Sequence, residues 1–362
     1  MKKTLLLLLI AALALTLAFA ATGCSKQAKA AGPAMSAGGA TAQDVMVDTK
    51  KYKKSGKVTI GLSWEGPHND YSKAIMWNVQ YTLEEKYKDR VAKVIYATAD
   101  ADKNKQINTV EDMLTKKIDL LLYQPISESA GVAVIEKAMG MGIPVIVFGA
   151  GLLTESYVSY CNIDNYGIGV AETDWVVQQM GGKGKILQMV GEPGSGYTED
   201  YIRGCTVALK KYPDISLVNR IYAYYSTATA KQAMETILNT TPDVTGVLCQ
   251  GGHMALGVLE AYADKKLPYP PVTVDDINLF MVAAKKMKFT NFVVVSGGSE
   301  VSADACEVAM TVLNGEPVKK ITLSPVKLYT AEEMDKLIPA GMSDGYWALN
   351  KIPAEFVKNY FK

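Results

Sequence analysis

Histidine is nearly absent: His68 and His253 are the only two in 362 residues. With no HExxH and no paired CxxC, the sequence offers no dedicated zinc site, and no metal is expected. A basic excess is missing too. The 38 Lys and Arg against 37 Asp and Glu leave a net charge of +1, which argues against an electrostatic nucleic-acid binder. No Gly-rich segment ends in the Lys-Ser/Thr of a P-loop, and dinucleotide-binding spacing is absent. No GxSxG and no Cys/His pair suggest a nucleophile. The one Gly-rich candidate, Gly191-Glu192-Pro193-Gly194-Ser195-Gly196, follows an apolar run and reads as a turn. The chain is expected to be neither an enzyme nor a carrier of a cofactor.

Long apolar runs are lacking after the first two dozen residues, so no later segment is expected to span a bilayer. At the start, Lys2 and Lys3 precede an apolar run from Leu5 to Ala21, which ends in Ala21-Thr22-Gly23-Cys24. A basic start, a hydrophobic run and small residues at a cut site describe an export signal over 1–23. The thiol directly after Gly23 resembles the bacterial lipobox, although Ala21 stands where leucine is usual. The resemblance implies lipidation of Cys24, hence a protein tethered to a membrane outside the cytoplasm. Residues 24–55, rich in Ala, Gly, Lys and Ser, read as a flexible linker. Cys161, Cys205, Cys249 and Cys306 remain. Export permits disulfides among them, and their apolar surroundings suit buried free thiols equally.

What is present is alternation. Val58-Thr59-Ile60-Gly61-Leu62 reads as a strand, Tyr71, Ile75, Val79 and Leu83 as a helix stripe, and Val91 to Tyr96 as a strand again. The pattern runs to Phe148, then restarts at Lys185 to Val190 and continues to a helix ending at Asn314-Gly315. Such spacings give right-handed βαβ crossovers, and two such series give two doubly wound parallel-sheet lobes of α/β class. Ligands of these sheets bind at the carboxyl ends of the strands, so two facing lobes form a cleft that closes by hinge motion.

Several segments resemble one family. They are Leu120-Leu121-Leu122-Tyr123-Gln124-Pro125, Gly142-Ile143-Pro144-Val145, Asn162-Ile163-Asp164-Asn165, Arg203-Gly204, Met254-Ala255-Leu256-Gly257 and Asn314-Gly315-Glu316-Pro317, in that order. The chain resembles the periplasmic sugar-binding proteins of the ribose-binding type, the receptors of ABC importers, over roughly residues 56–328. The resemblance implies three hinge crossovers, near Asp164, Ser296-Gly297-Gly298 and Ser324-Pro325. Lobe one would be 56–162 plus 297–325, and lobe two 163–296 plus 326–362.

The resemblance also places the ligand. Asn69 and Tyr71 match a contacting amide and an aromatic, Gln124 a binding amide, and Arg203 an arginine that clamps hydroxyls. Tyr224 or Tyr225, with Tyr225 preferred, matches a cleft aromatic, and Asp275 a carboxylate. Trp64 is a further stacking candidate. Asn69 and Asp70 suit a helix cap as well, and Asp276 is an alternative to Asp275. Gly149-Ala150-Gly151, Gly251-Gly252 and Ser296 stand where the family carries polar anchors, which implies a wider cleft and a ligand other than ribose. The implied function is a monomeric receptor that delivers a small ligand, a sugar or sugar derivative, to an ABC permease. The alternatives are a nucleoside receptor, or a sensor presenting ligand to a chemoreceptor or membrane kinase. LacI-type repressors share the two lobes, but an export signal occupies the place of their DNA-binding head.

Overall fold

The computed structural model describes residues 45–360. The export signal, Cys24 and the linker up to residue 44 lie outside the described residues. From 45 onward the linker is not free chain. Strand β1 (Met46–Val47) pairs antiparallel with β12 (Val318–Lys319), Tyr52 is buried, and Lys54 N donates to Leu313 O. One aromatic anchor and a short strand suffice to dock a segment whose composition reads as polar.

The first sheet is ordered β13-β6-β5-β4-β2-β3, all parallel. Its strands are β2 (Val58–Trp64), β3 (Val91–Thr98), β4 (Leu120–Tyr123), β5 (Val145–Phe148), β6 (Ser159–Ile163) and β13 (Ile321–Ser324). The second is ordered β14-β11-β10-β9-β7-β8. It takes β7 (Gly184–Val190), β8 (Ile215–Tyr222), β9 (Gly246–Cys249), β10 (Val272–Asp275), β11 (Phe292–Val295) and β14 (Tyr329–Thr330). Only β14 runs antiparallel to its neighbour. β4, β5, β9, β10 and β11 are buried at every residue, as strands are when helices cover both faces of the sheet. In each sheet the first strand is flanked by the second on one side and the third on the other. This is the switch point at which a crevice opens beyond the carboxyl ends.

Helix α1 (Asp70–Gln80) begins where Asn69 Oδ1 accepts from Ser72 N at 2.8 Å. It continues into a wider π turn over Tyr81–Lys86, closed by Tyr87 N to Thr82 O. An apolar repeat of four drifts around a 3.6-residue helix, and the wider turn keeps Leu83 on the buried face. The remaining first-lobe helices are α2 (Lys103–Thr115) and α3 (Val132–Gly140). Along the second series run α4 (Asn165–Gln179), α5 (Gly196–Leu209), α6 (Thr227–Thr240), α7 (Gly252–Asp264) and α8 (Asn278–Lys286). Helix α9 (Val301–Asn314) returns to the first lobe, where Ala305, Cys306 and Ala309 share a core with Ile60, Leu62 and Ile75. It stops at Gly315, whose φ of 79° is the left-handed end that glycine tolerates.

The chain passes between the sheets three times: after β6, after β11 and after β13. Past β14, α10 (Ala331–Leu337) carries a capping box between Thr330 and Glu333. The C-terminal segment then touches both lobes. Asn278 N donates to Tyr346 O, and Leu349 N to Asp276 Oδ2, in the second lobe. Lys351 N donates to Asn78 Oδ1 of α1, and Phe356 of α11 (Ala354–Tyr360) lies 5.2 Å from the Tyr81 ring, in the first. All four described cysteines are buried free thiols.

Candidate ligand cleft

Each lobe sends side chains from the carboxyl ends of its strands toward the other. From the first comes Tyr71, at the start of α1. Burial pushes its hydroxyl far above the usual tyrosine range. The fields of Glu65, Glu300, Tyr225 and Asp276 add to this. Two of those groups, Tyr225 and Asp276, belong to the second sheet's loops, so Tyr71 faces across the cleft. Its ring stands edge-on to Trp347 at 5.3 Å.

The second lobe answers with Tyr197, Tyr225 and Asp275. The rings of Tyr197 and Tyr225 lie 6.5 Å apart at 64°. Burial raises both hydroxyls, with Asp275 contributing to each and Glu192 to Tyr225. Tyr224 and Tyr225 do not alternate along β8 as a strand reading requires. Both lie past its end with φ of 53° and 54°, a conformation rare for bulky residues. Tyr224 is exposed, while the Tyr225 ring lies on Gly191 and Gly251. A Cβ at Gly191 would fall on that ring, and one at Gly251 would sit 3.2 Å from Tyr225 Cδ1 and 3.1 Å from Asp275 Oδ2. The expected widening at Gly251 is therefore not open space: the tyrosine and the carboxylate occupy it. At Gly149 likewise, the Gln124 amide lies 3.3 Å from where a Cβ would be.

Asp275 is buried, and its Oδ1 accepts from Gly252 N at 2.8 Å. Burial, reinforced by Asp276, pushes its carboxyl up to about 7. Asp276 has a different task. Its carboxylate accepts from Gly297 N at 2.7 Å and from Leu349 N at 2.7 Å, tying the second crossover to the C-terminal segment. Trp347 packs on Gly297 from the same side. Glu300 sits at the start of α9, 6% exposed, with Oε1 held by Ser296 Oγ and Oε2 without a partner.

The other expected residues are placed as follows. Gln124 is 9% exposed, and its Oε1 has no partner. Arg203 pairs with Asp200 on α5. Burial, with Glu128 and Asp164 adding, still raises the Asp200 carboxyl to about 6 against the guanidinium. Asn69 is the N-cap of α1 and is exposed. Trp64 is 1% exposed, stacked edge-on to Tyr96 at 5.9 Å, with an unpartnered indole N–H. The geometry thus joins Tyr71, Tyr225 and Asp275 in one group. It leaves Asn69 as a cap and gives Trp64 an aromatic partner within the first lobe.

Sequence reasoning missed Tyr197, Glu300 and Trp347. Tyr197 directly follows the glycine segment read as a turn, at the start of α5, and Trp347 lies beyond the last element assigned from the pattern.

Two parallel-sheet lobes, three crossovers and a cleft between them are the architecture of a two-lobed solute-binding fold. The chain belongs to the family of the periplasmic binding protein domain, whose model matches residues 60–317. Among its relatives, the ribose import binding protein of Bacillus subtilis is 27% identical over 75% of this chain and 87% of its own length. The xylitol-binding protein of Mycolicibacterium smegmatis is 25% identical over 68% and 70%. A solved ABC transporter solute-binding protein from Actinobacillus succinogenes, with bound D-allose, aligns with a TM-score of 0.69. It is 23% identical and covers 77% of this chain and all of its own.

Proposed function

We propose that the protein is an extracytoplasmic receptor that captures a small hydroxylated ligand between its lobes and delivers it to an ABC permease. The observation that carries this reading is the convergence of Tyr71 from the first lobe with Tyr225, Tyr197 and Asp275 from the second. A ligand that touches both sides has higher affinity for the closed form and shifts the population toward it. The relatives support the ligand class, since those named above are a ribose import binding protein and a xylitol-binding protein. No step in this reading breaks a covalent bond, and it needs neither cofactor nor metal.

In this reading the moving bodies are residues 56–162 plus 297–325 and residues 163–296 plus 326–341. The stretch after Gly341 serves both. Lipid on Cys24 would hold the receptor, as a monomer, at the membrane that carries its permease. The test is a thermal-shift screen of the full chain against sugars, polyols and nucleosides, before and after unfolding and refolding to release trapped ligand. A ligand that binds only the folded form raises the melting temperature when in excess over its dissociation constant. A shift with a sugar or polyol is expected. A shift with nucleosides alone would replace the ligand class, and a flat screen after refolding would refute the reading.

A further inference from the structure

Glu128 belongs to the loop that follows β4 in the first lobe. Its main chain is fixed there. Leu153 N donates to Glu128 O at 2.7 Å, and Ile126 N, two residues earlier, donates to Gln106 Oε1 at 3.1 Å. The side chain points out of that lobe. Oε1 lies 3.5 Å from where a Cβ at Gly151 would be, and a Cβ at Gly196 would fall on the same oxygen, 3.5 Å from Cδ. Gly196 opens α5, which follows β7 in the second sheet. A carboxyl of one lobe thus reaches the first residue of a helix in the other, and Gly196, with no side chain, leaves room for it.

The end of α5 that it reaches calls for an acceptor. The first bond inside the helix runs from Glu199 N to Ser195 O at 2.9 Å. The N–H groups of Gly196, Tyr197 and Thr198 therefore have no partner within the helix. Ser195 stands at the N-cap, but its side chain makes no capping bond, and the Glu199 carboxyl is turned to Gly194 N at 3.0 Å. A carboxylate at such an end meets donors and the positive pole of the helix dipole. The like charge nearest along α5 is Asp200, which feels Glu128 and Asp164 and is paired with Arg203. The helix end is in turn tied to the cleft. Gln250 Nε2 donates to Tyr197 O at 3.1 Å, and its Oε1 accepts at 3.0 Å from N of Gly191, the residue beneath the Tyr225 ring.

We propose that Glu128 is a positioning residue for ligand capture: by capping α5 from the opposite lobe, it latches the lobes together and holds Tyr197 in the cleft, acting through the helix and not on the ligand. This deepens the receptor reading. A latch raises the share of closed molecules and so slows release of whatever has been captured. It is measured without a ligand, so its failure leaves the receptor reading standing, and a flat ligand screen does not touch it.

The test uses the full chain, refolded free of ligand, with spin labels on Lys103→Cys in α2 and Lys210→Cys just past α5, both exposed positions. Cys24→Ser leaves these two thiols as the reactive ones, since the other four cysteines are buried. Label-to-label distances are compared in the protein with an intact latch, in Glu128→Ala, in Gly196→Val and in the double variant, each with its melting curve. Valine is chosen because the flexible end of a glutamate could sidestep a single methyl. Each single change is expected to lower the ratio of short to long distances by about two- to five-fold, the size of one carboxylate at one helix end. The double variant should match Glu128→Ala, because both changes remove the same contact. High salt should shift the intact protein the same way and leave Glu128→Ala almost unmoved. Identical distances in all four proteins, effects that add in the double variant, or an intact protein indifferent to salt would each overturn the proposal.

Discussion

At Tyr225 the backbone carries the specificity. A tyrosine in the left-handed region costs of order 1–3 kcal/mol and persists only where surroundings hold it. Here they include Gly191, where a Cβ would fall on the ring, and Gly251, where one would press on it at 3.2 Å. Replacing Gly191 by Ala is therefore expected to push the ring out of the cleft, weakening ligand binding ten-fold or more while the core stays folded. Calorimetry beside a melting curve separates these effects, and unchanged affinity would refute the placement. Tyr225→Ala should do the same without the steric push. Of these residues, the sequence points to Tyr71, Tyr225 and Asp275 only through the family resemblance, since no period or composition singles them out. It concealed Tyr197 behind a glycine run and said nothing of Glu300, since neither belongs to a periodic pattern.

Among elements, the fully buried strands were the most readable. β4, β5, β9 and β11 carry no polar side chain beyond a tyrosine hydroxyl and a cysteine thiol, so composition alone locates them. β6 has the sequence Ser-Tyr-Cys-Asn-Ile, and its place in the sheet comes from pairing with β5 and β13, which no local pattern announces. The same holds for the stretch after Gly341, where Trp347 is buried by packing on the distant Gly297. Trp347→Ala removes a large buried side chain and is expected to cost about 3–5 kcal/mol in urea unfolding. It should also change ligand affinity, because the ring supports Tyr71. Loss of stability with wholly unaltered affinity would show that Trp347 serves the core alone.

For the whole molecule, the buried carboxyls set a pH dependence. Burial raises Glu172 to about 8, Asp275 and Glu300 to about 7, and Asp276 to about 6. Each holds its proton more tightly folded than unfolded. The stability this contributes is complete below the unfolded pKa of about 4, and is lost as pH rises through the folded value. The ligand-free protein is therefore expected to melt at a lower temperature at pH 8 than at pH 5, with Glu172→Gln flattening the slope. A melting temperature that climbs over that interval would contradict the burial of these groups. The two-lobed plan was legible because the βαβ alternation is written twice. The hinge partners were not, because Asp276 binds Gly297 and Leu349 across distances in sequence that periodicity does not report.

Trp347 is one of only four tryptophans, and its indole lies between the second crossover and a cleft tyrosine. Any rotation of the lobes must alter the surroundings of that chromophore. The protein thus carries its own optical gauge, and the emission of an otherwise Trp-free variant would follow capture and release in real time without a dye.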